Sequence, residues 1–435
     1  MKTKLGGRFF ASLILFSLIG QIAWVVENMY LNVFMYKRFG ASSDDISLMV
    51  GASAVSAALT TVFIGALSDK IGKRKVFMCG GYILWGVSIL SFMLVRTDII
   101  EAVFPATVAS ASVGVALVII LDCVMTFFGS SANDAAFNAW LTDSTDKTNR
   151  GSAEGINSMM PLVAILAVFG GFMAFNLNND SSWTFIFLII GAVVLTIGVV
   201  GIFVIKEPRL EKSKDGYFKT VIYGFKPSTI KENKQLYIYL LLFIIFNISI
   251  QIFMPYLIIY YEVTLQMTDY VFIMAPAIVL ASVVTFFWGK VYDKRGFNFS
   301  IWISLGWLAL GYLLLIIFKN TALVFIGSLF MMSGYLSGMA VFGAKIRDLT
   351  PENKSGMLQG VRIFSQVLIP GVVGPIIGNL LLKGAESITN DDGRESFIPN
   401  INIFIGALCA IAILAIIMLI YIIVKNKIDK KKERC

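Results

Sequence analysis

Twelve apolar runs, each long enough to cross a bilayer as a helix, take up most of this chain, and short charged stretches separate them. A crossing helix needs about 20 mostly apolar residues, and in lipid only helices or closed barrels satisfy every backbone N–H and C=O. The runs lie at residues 9–36, 46–68, 76–96, 113–142, 152–175, 182–205, 236–261, 270–292, 299–318, 322–344, 357–382 and 401–424. They are continuous rather than alternating, which excludes outer-membrane strands. With 57% hydrophobic and 14% charged residues, the chain is far too apolar for a soluble domain, where about a quarter of residues carry charge. The expected fold is therefore an all-α membrane protein. The opening MKTKLGGR has the basic character of a signal peptide, but the run behind it is too long for one and reads as a retained helix.

Charge fixes the expected orientation. Of the 36 Lys and Arg residues, 29 fall in the tails and loops on one side once the N-terminus is assigned to the cytoplasm. The opposite loops hold Lys37, Arg38, Arg96, Lys319, Lys383 and Arg394, and Arg362 lies inside a run. Basic residues concentrate on the cytoplasmic side, so both termini are expected there, in a cell (inner or plasma) membrane. The net charge of +9 then needs no nucleic-acid partner. Histidine is absent, which removes Ser-His and Cys-His catalytic arrangements and leaves carboxylates as the groups able to handle protons. Cys79, Cys123, Cys409 and Cys435 stand at no ligand-like spacing, so neither a disulfide framework nor a metal cluster is expected. No Gly-rich phosphate loop with its lysine is present either. The chain reads as no enzyme, with no cofactor.

The chain also repeats itself. Residues 206–235 form the one long, basic, polar connection and separate six runs from six. This gives an N-terminal six-helix half at 1–205, a cytoplasmic middle loop at 206–235, a second six-helix half at 236–424 and a basic tail at 425–435. The stretch GALSDKIGKRK at 65–75 has an echo at 289, where Gly289, Asp293, Lys294 and Gly296 stand 224 positions after Gly65, Asp69, Lys70 and Gly72. A second echo relates Ala139, Asp143, Thr145, Gly151 and Gly155 to Ala344, Asp348, Thr350, Gly356 and Gly360, 205 positions on. Six helices per half place the copies in the same orientation, a parallel pseudo-repeat of the kind transporters use around a central site.

Residues 65–75 resemble the loop 2-3 signature of the major facilitator superfamily, and twelve spans with a long middle loop extend that likeness over the whole chain. GQIAWVVENMYLNVF, ILWG, FMPYLIIYYE and IRDLTPENKSGMLQG further resemble the branch of glycoside-pentoside-hexuronide cation symporters. The resemblance implies the major facilitator fold, a monomer, and alternating access of a small-molecule substrate. It also implies a cytoplasmic gate in which Asp69 latches helix ends and Arg74 pairs an acid below the fourth span, here Asp143. Gly65, Gly72, Arg150, Asp293 and Asp348 occupy the corresponding gate positions. Arg150 and Glu154 also fit an ordinary solvated ion pair. Gly65 is expected to permit close helix approach, and the second copy's gate to be weaker, because Phe297 and Asn298 replace the basic pair.

Ionisable residues inside spans are functional candidates by default. Glu27, Asp122 and Asp134 are the acids that could couple a proton. Gln21, Trp24, Asn28 and Asn32 share one face of the first span, with Glu27 at its edge. Asp122, Thr126, Gly129 and Asn133 share a face of the fourth, while Asp134 and Asn138 form a pair on another. Asn247 and Gln251 align in the seventh, and Gln359, Arg362 and Gln366 in the eleventh. In the family's fold, spans 1, 4, 7, 10 and 11 surround the cavity, which implies substrate contacts from Gln21, Trp24, Asn28, Asp122, Asn133, Asn247, Gln251 and Gln366. Amides, carboxylates and an aromatic plate suit a sugar, although such amides also bond simply to neighbouring helices. Melibiose-type members carry paired carboxylates in span 2 for sodium, and here that span has no acid before Asp69. The expected activity is proton-coupled uptake of a glycoside or oligosaccharide; a proton-antiporting multidrug exporter of the same fold is the alternative.

Overall fold

A computed structural model describes residues 5–104, 109–145, 149–207, 222–267, 269–351, 355–389 and 395–432. Ten of its helices are long and apolar enough to cross a membrane. One of these, Val271–Ile317, is interrupted at Gly296, whose φ of 76° no helical residue adopts. Counting it as two spans, and adding Arg150–Phe172 with its shorter apolar stretch Met159–Phe172, gives the twelve spans expected from the sequence. We number them in chain order: span 1 is Gly7–Phe39, span 2 Ser43–Ile71, span 3 Arg74–Leu94 and span 4 Ser110–Asp143. Span 6 is Asp180–Val204, span 7 Lys234–Thr264, span 10 Thr321–Leu349 and span 11 Gly360–Leu382. The remaining numbers follow that order.

Local chemistry sets the helix ends. Span 2 starts at Ser43 because Ser42 and Asp45 form a reciprocal capping box, with Ser42 N–H donating to Asp45 Oδ2 at 2.9 Å. It stops at Gly72, whose left-handed backbone (φ 70°) turns the chain straight into span 3. The echo of Gly72 is Gly296, and both copies of the repeated loop therefore turn on a positive-φ glycine.

Among the described residues, four spans contain π-helical turns: Val26–Tyr30 in span 1, Ser130–Phe137 in span 4, Tyr260–Thr264 in span 7 and Phe364–Leu368 in span 11. Such turns shift the register of every residue beyond them and recur at functional sites. They also carry span 7 past its expected end, so that Glu262 lies within a helix rather than in a loop.

Chain contacts divide the structure into two compact units. One comprises Met1–Lys226, Gly356–Leu368 and Ala385–Ile398; the other comprises Pro227–Ser355, Ile369–Gly384 and Pro399–Cys435. The first unit includes a feature that apolar runs could not reveal, a two-stranded antiparallel hairpin pairing Ser387–Thr389 with Glu395–Phe397. Tyr36 OH, at the end of span 1, donates to the Phe397 carbonyl at 2.7 Å, and the two rings meet edge to face.

Within the first unit, spans 3 and 6 touch backbone to backbone. A Cβ added at Gly86 would lie 2.5 Å from the Leu195 nitrogen. Lipid offers no hydrophobic drive between helices, so small residues that admit such approach hold the pair together. At Gly65, where the sequence led us to expect close approach, a Cβ would meet only Ala135 Cβ at 4.0 Å. Gly86→Ala should therefore destabilise the protein by about 1–3 kcal/mol through overpacking. Gly65→Ala should be neutral or should stabilise by roughly 0.5–1 kcal/mol through helix propensity. Thermal unfolding of both variants in one detergent checks the contrast.

Candidate functional site

Glu27 lies on the π turn of span 1 and is 6% exposed; Asp122 in span 4 is 2% exposed. Thr126, one turn beyond Asp122, donates its hydroxyl to Glu27 Oε1 at 2.7 Å. Ser53 of span 2 donates to the same oxygen at 3.2 Å and lies 2.8 Å from Thr126 Oγ1. The Ser53 hydroxyl also reaches the Asp122 carboxyl, and the two carboxyls are near enough to feel each other's charge. Three spans thus converge on an acid pair bridged by two hydroxyls. Glu27 Oε2 and Asp122 Oδ1 are buried with no hydrogen-bond partner, and no ion pair reaches either acid among the described residues. Sequence reasoning singled out the acids and Thr126. Ser53 carries no signal that separates it from other small residues of span 2.

Other residues of the expected binding face are distributed differently. Trp24 packs against Trp85 with ring centroids 5.1 Å apart, and both indole N–H groups are buried without a partner among the described residues. Gln21 is half-buried and Asn28 exposed. The Asn28 amide donates to the Trp24 carbonyl, and the Asn32 amide to the Asn28 carbonyl, so both fold back on their own helix. Asn133, 3% exposed, donates to Tyr82 OH at 2.7 Å, and that hydroxyl donates to the Phe16 carbonyl, a junction of spans 1, 3 and 4. The expected pairing of Asp134 with Asn138 takes another form: the Asn138 amide donates to the Asp134 and Asn133 backbone carbonyls, leaving the half-buried Asp134 carboxyl to other neighbours. In the second unit, Asn247 donates to the Phe243 carbonyl, and Gln251 is packed under Gly374 of span 11. Gln366 and Arg362 are half-buried in the first unit, and the Gln359 side chain lies outside the described set.

At one end of the first unit, Arg74 is buried (6% exposed) and joins Asp69, Ser68 and Asp143. Its Nε lies 2.9 Å from Asp143 Oδ2. Glu207, just past span 6, was not picked out from the sequence, being one acid in a basic loop. Its carboxylate accepts the backbone N–H groups of Arg74 and Lys75, the latter at 3.1 Å, and so caps span 3, whose own N-cap residue Lys73 makes no side-chain bond. Arg8 donates to the carbonyls that end span 6, at Phe203 and Val204, and the Trp140 indole donates to the Lys206 carbonyl. Acid at a helix start and base at a helix end both complement the backbone dipole. Glu207→Ala should cost about 1 kcal/mol, the usual value of a lost N-cap, in thermal unfolding, and Glu207→Gln less.

The second copy is wired differently. Asp348 accepts a hydrogen bond from Tyr292 OH at 2.5 Å, and Asp293 is exposed with no ion pair among the described residues. Phe297, next to the position that echoes Arg74, is buried against Tyr239 and Phe342. The Arg150 and Glu154 side chains lie outside the described set.

Residues 9–362 match the profile of the Major Facilitator Superfamily. The chain belongs to that family. Its superfamily fold is shared with solved transporters. The nucleoside transporter NupG superposes with a TM-score of 0.68 at 11% identity, covering 94% of this chain and 98% of that one. The xylose transporter XylE from E. coli, partially occluded and inward open, gives 0.66 at 16%, covering 94% and 97%. A bacterial homologue of the human lysosomal transporter Spinster gives 0.67 at 14%, covering 97% and 98%. At such identities the likeness is one of fold. No curated protein matches the chain. Superfamily members carry small molecules across membranes, and this chain is a multi-pass membrane transporter.

Proposed function

We propose that this superfamily member is a secondary active transporter that takes up a glycoside or oligosaccharide together with a proton. The buried Glu27–Ser53–Thr126–Asp122 cluster carries the reading. Two carboxyls held side by side in an apolar bundle, with no basic partner among the described residues, need a neutralising cation, because an uncompensated buried charge costs several kcal/mol. A proton supplies that with no further ligands. Span 2 offers hydroxyls here and no carboxylate, which favours a proton over a sodium ion of the melibiose type. Binding of the proton then lets the loaded carrier close over the site, and its loss resets the cycle. Within the first unit, the neighbouring indole N–H groups of Trp24 and Trp85 and the amides of Gln21 and Gln366 supply donors and apolar plates suited to a sugar ring; in the second unit Asn247 and Gln251 are the proposed contacts.

In this reading the Asp69–Arg74–Asp143 network is the stronger of two gates and the Tyr292–Asp348 contact the weaker. The branch of glycoside-pentoside-hexuronide symporters, a monomeric state, the cell membrane and cytoplasmic termini belong to the same proposal, the last supported by the basic loops. Purified protein in liposomes with an imposed pH gradient, acid outside, is tested with a panel of radiolabelled methyl glycosides and disaccharides. Accumulation of one class that collapses with a protonophore is expected. Absence of any accumulation, together with protection of expressing cells from hydrophobic cations, would instead establish the exporter.

A further inference from the structure

Asp122, Thr126, Ser130 and Asp134 recur at four-residue intervals along span 4. In an unbroken α-helix each such step drifts about 40° round the axis, which would leave Asp134 roughly 120° from Asp122. The π-helical stretch Ser130–Phe137 alters that geometry. Its wider turn, closed by i→i+5 bonds, advances each residue by less than ~100°, so the last step turns back toward the side that carries Ser130. The result is a stripe of carboxyl, hydroxyl, hydroxyl and carboxyl, with a backbone rise of about 6 Å for each of the two α-helical steps and less for the last.

Three members of the stripe are buried, Asp122 at 2%, Thr126 at 1% and Ser130 at 0% exposure, and Asp134 is half-buried. Thr126 is bonded into the acid pair through Glu27 and Ser53. Ser130 Oγ makes no bond to its own helix backbone, although most serines in these spans do, as Ser131 does to the Phe127 carbonyl; its hydroxyl instead faces the Asp134 carboxyl, within its hydrogen-bonding reach. A fully buried hydroxyl turned from its own helix backbone toward a carboxyl is placed to hand a proton to it.

We propose that span 4 is a proton path joining the Glu27–Asp122 pair to Asp134, with Thr126 and Ser130 as its relay hydroxyls. This rests on the proton-coupled reading above and adds the route. The proton on the acid pair passes to a hydroxyl oxygen, which releases its own proton to the next acceptor. Both hydroxyls are left as they began, and the Asp134 carboxylate becomes the acid. The Thr126 hydroxyl bonds directly into the acid pair and the Ser130 hydroxyl faces Asp134, so the transfer from Thr126 to Ser130 is the one step that needs a bridging water. The elements packed on this stretch bring few competing groups. Span 1 contributes Glu27, span 2 has no titratable residue between Asp45 and Asp69, and span 3 brings Tyr82, already engaged by Asn133 and the Phe16 carbonyl. Cys123, on span 4 itself, lies beside the acid pair.

Full-length protein in liposomes, followed by infrared spectroscopy of the protonated carboxyl band after a pH jump, tests the route without any substrate. Loss of the band in Asp122→Asn assigns it. Ser130→Ala should slow proton release at least about tenfold with the unfolding temperature unchanged, and Ser130→Thr should restore the rate. Asp134→Asn, which keeps the shape, should slow release to a similar degree and covers the case of a poorly folded Ser130→Ala. Release at the wild-type rate in Ser130→Ala or in Asp134→Asn would overturn the path, as would a slowing that Ser130→Thr fails to repair, or a band insensitive to Asp122→Asn. Failure of pH-driven glycoside uptake in the wild type, with these kinetics intact, would remove the glycoside-uptake reading instead.

Discussion

Asp122→Asn and Glu27→Gln are each expected to abolish glycoside accumulation driven by a pH gradient while leaving exchange of labelled for unlabelled glycoside across the same liposomes in place. The loss of accumulation should exceed about tenfold, since a free-energy difference of only 1.4 kcal/mol in the loaded state produces that factor. The reasoning is specific to the cluster. Asn and Gln imitate a carboxyl that permanently holds its proton, so the carrier can still close over its load but no longer draws on the gradient. Exchange needs only loading and closing, and survives. The two variants should differ in stability. Glu27 accepts from both Thr126 and Ser53, so Gln at that position must keep an oxygen toward them, whereas Asp122 has an oxygen with no partner to lose. Undiminished accumulation in both variants would take these acids out of the coupling mechanism.

Arg74→Ala is expected to lower stability by about 2–3 kcal/mol and to disable the gate proposed at that end of the first unit. Breaking a fully buried pair by removing one partner costs about 3–5 kcal/mol. Here the Asp143 side chain is 23% exposed and Asp69 43%, so water screens part of the loss and the lower figure applies. What remains is two carboxylates and Ser68 gathered around nothing. Arg74→Lys should recover less than half, because one ammonium cannot address Asp69, Asp143 and Ser68 in the plane that a guanidinium fork supplies. Unfolding in detergent measures the first effect. Solvent access of single cysteines placed near residue 69 measures the second, and unchanged labelling would separate the network from gating.

Much of this architecture is legible in the amino-acid sequence. Apolar length alone locates the spans, because lipid leaves no alternative to a closed helix, and Asp or Glu inside such a span stands out against its neighbours. Capping chemistry at Ser42 and Asp45 and the turn at Gly72 are likewise written in local residue types. The features that the sequence hides have a common physical cause. Periodicity assumes one helical pitch, so the π turns at Val26–Tyr30 and Ser130–Phe137 are invisible to it, and with them the way Glu27 enters the bundle and the side on which Asp134 lies. Hydroxyls such as Ser53 and Ser130 are too common in membrane helices to mark a site until a neighbour is known. Glu207 matters through two backbone N–H groups more than a hundred residues earlier in the chain, a relation that no short motif encodes. The hairpin at Ser387–Phe397 is too short and polar to rise above its loop.

The repeated loop turns on glycine in both copies, yet one copy is fastened by charges around Arg74 and the other by the rings of Tyr239, Phe297 and Phe342 with a hydrogen bond from Tyr292 to Asp348. Duplicated segments that share a shape need not share a solvent response. Concentrated chloride would loosen the first fastening more than the ring packing of the second, whereas cooling would weaken that packing first. The molecule therefore carries two independent failure points, and which one yields will depend on the medium in which it is handled.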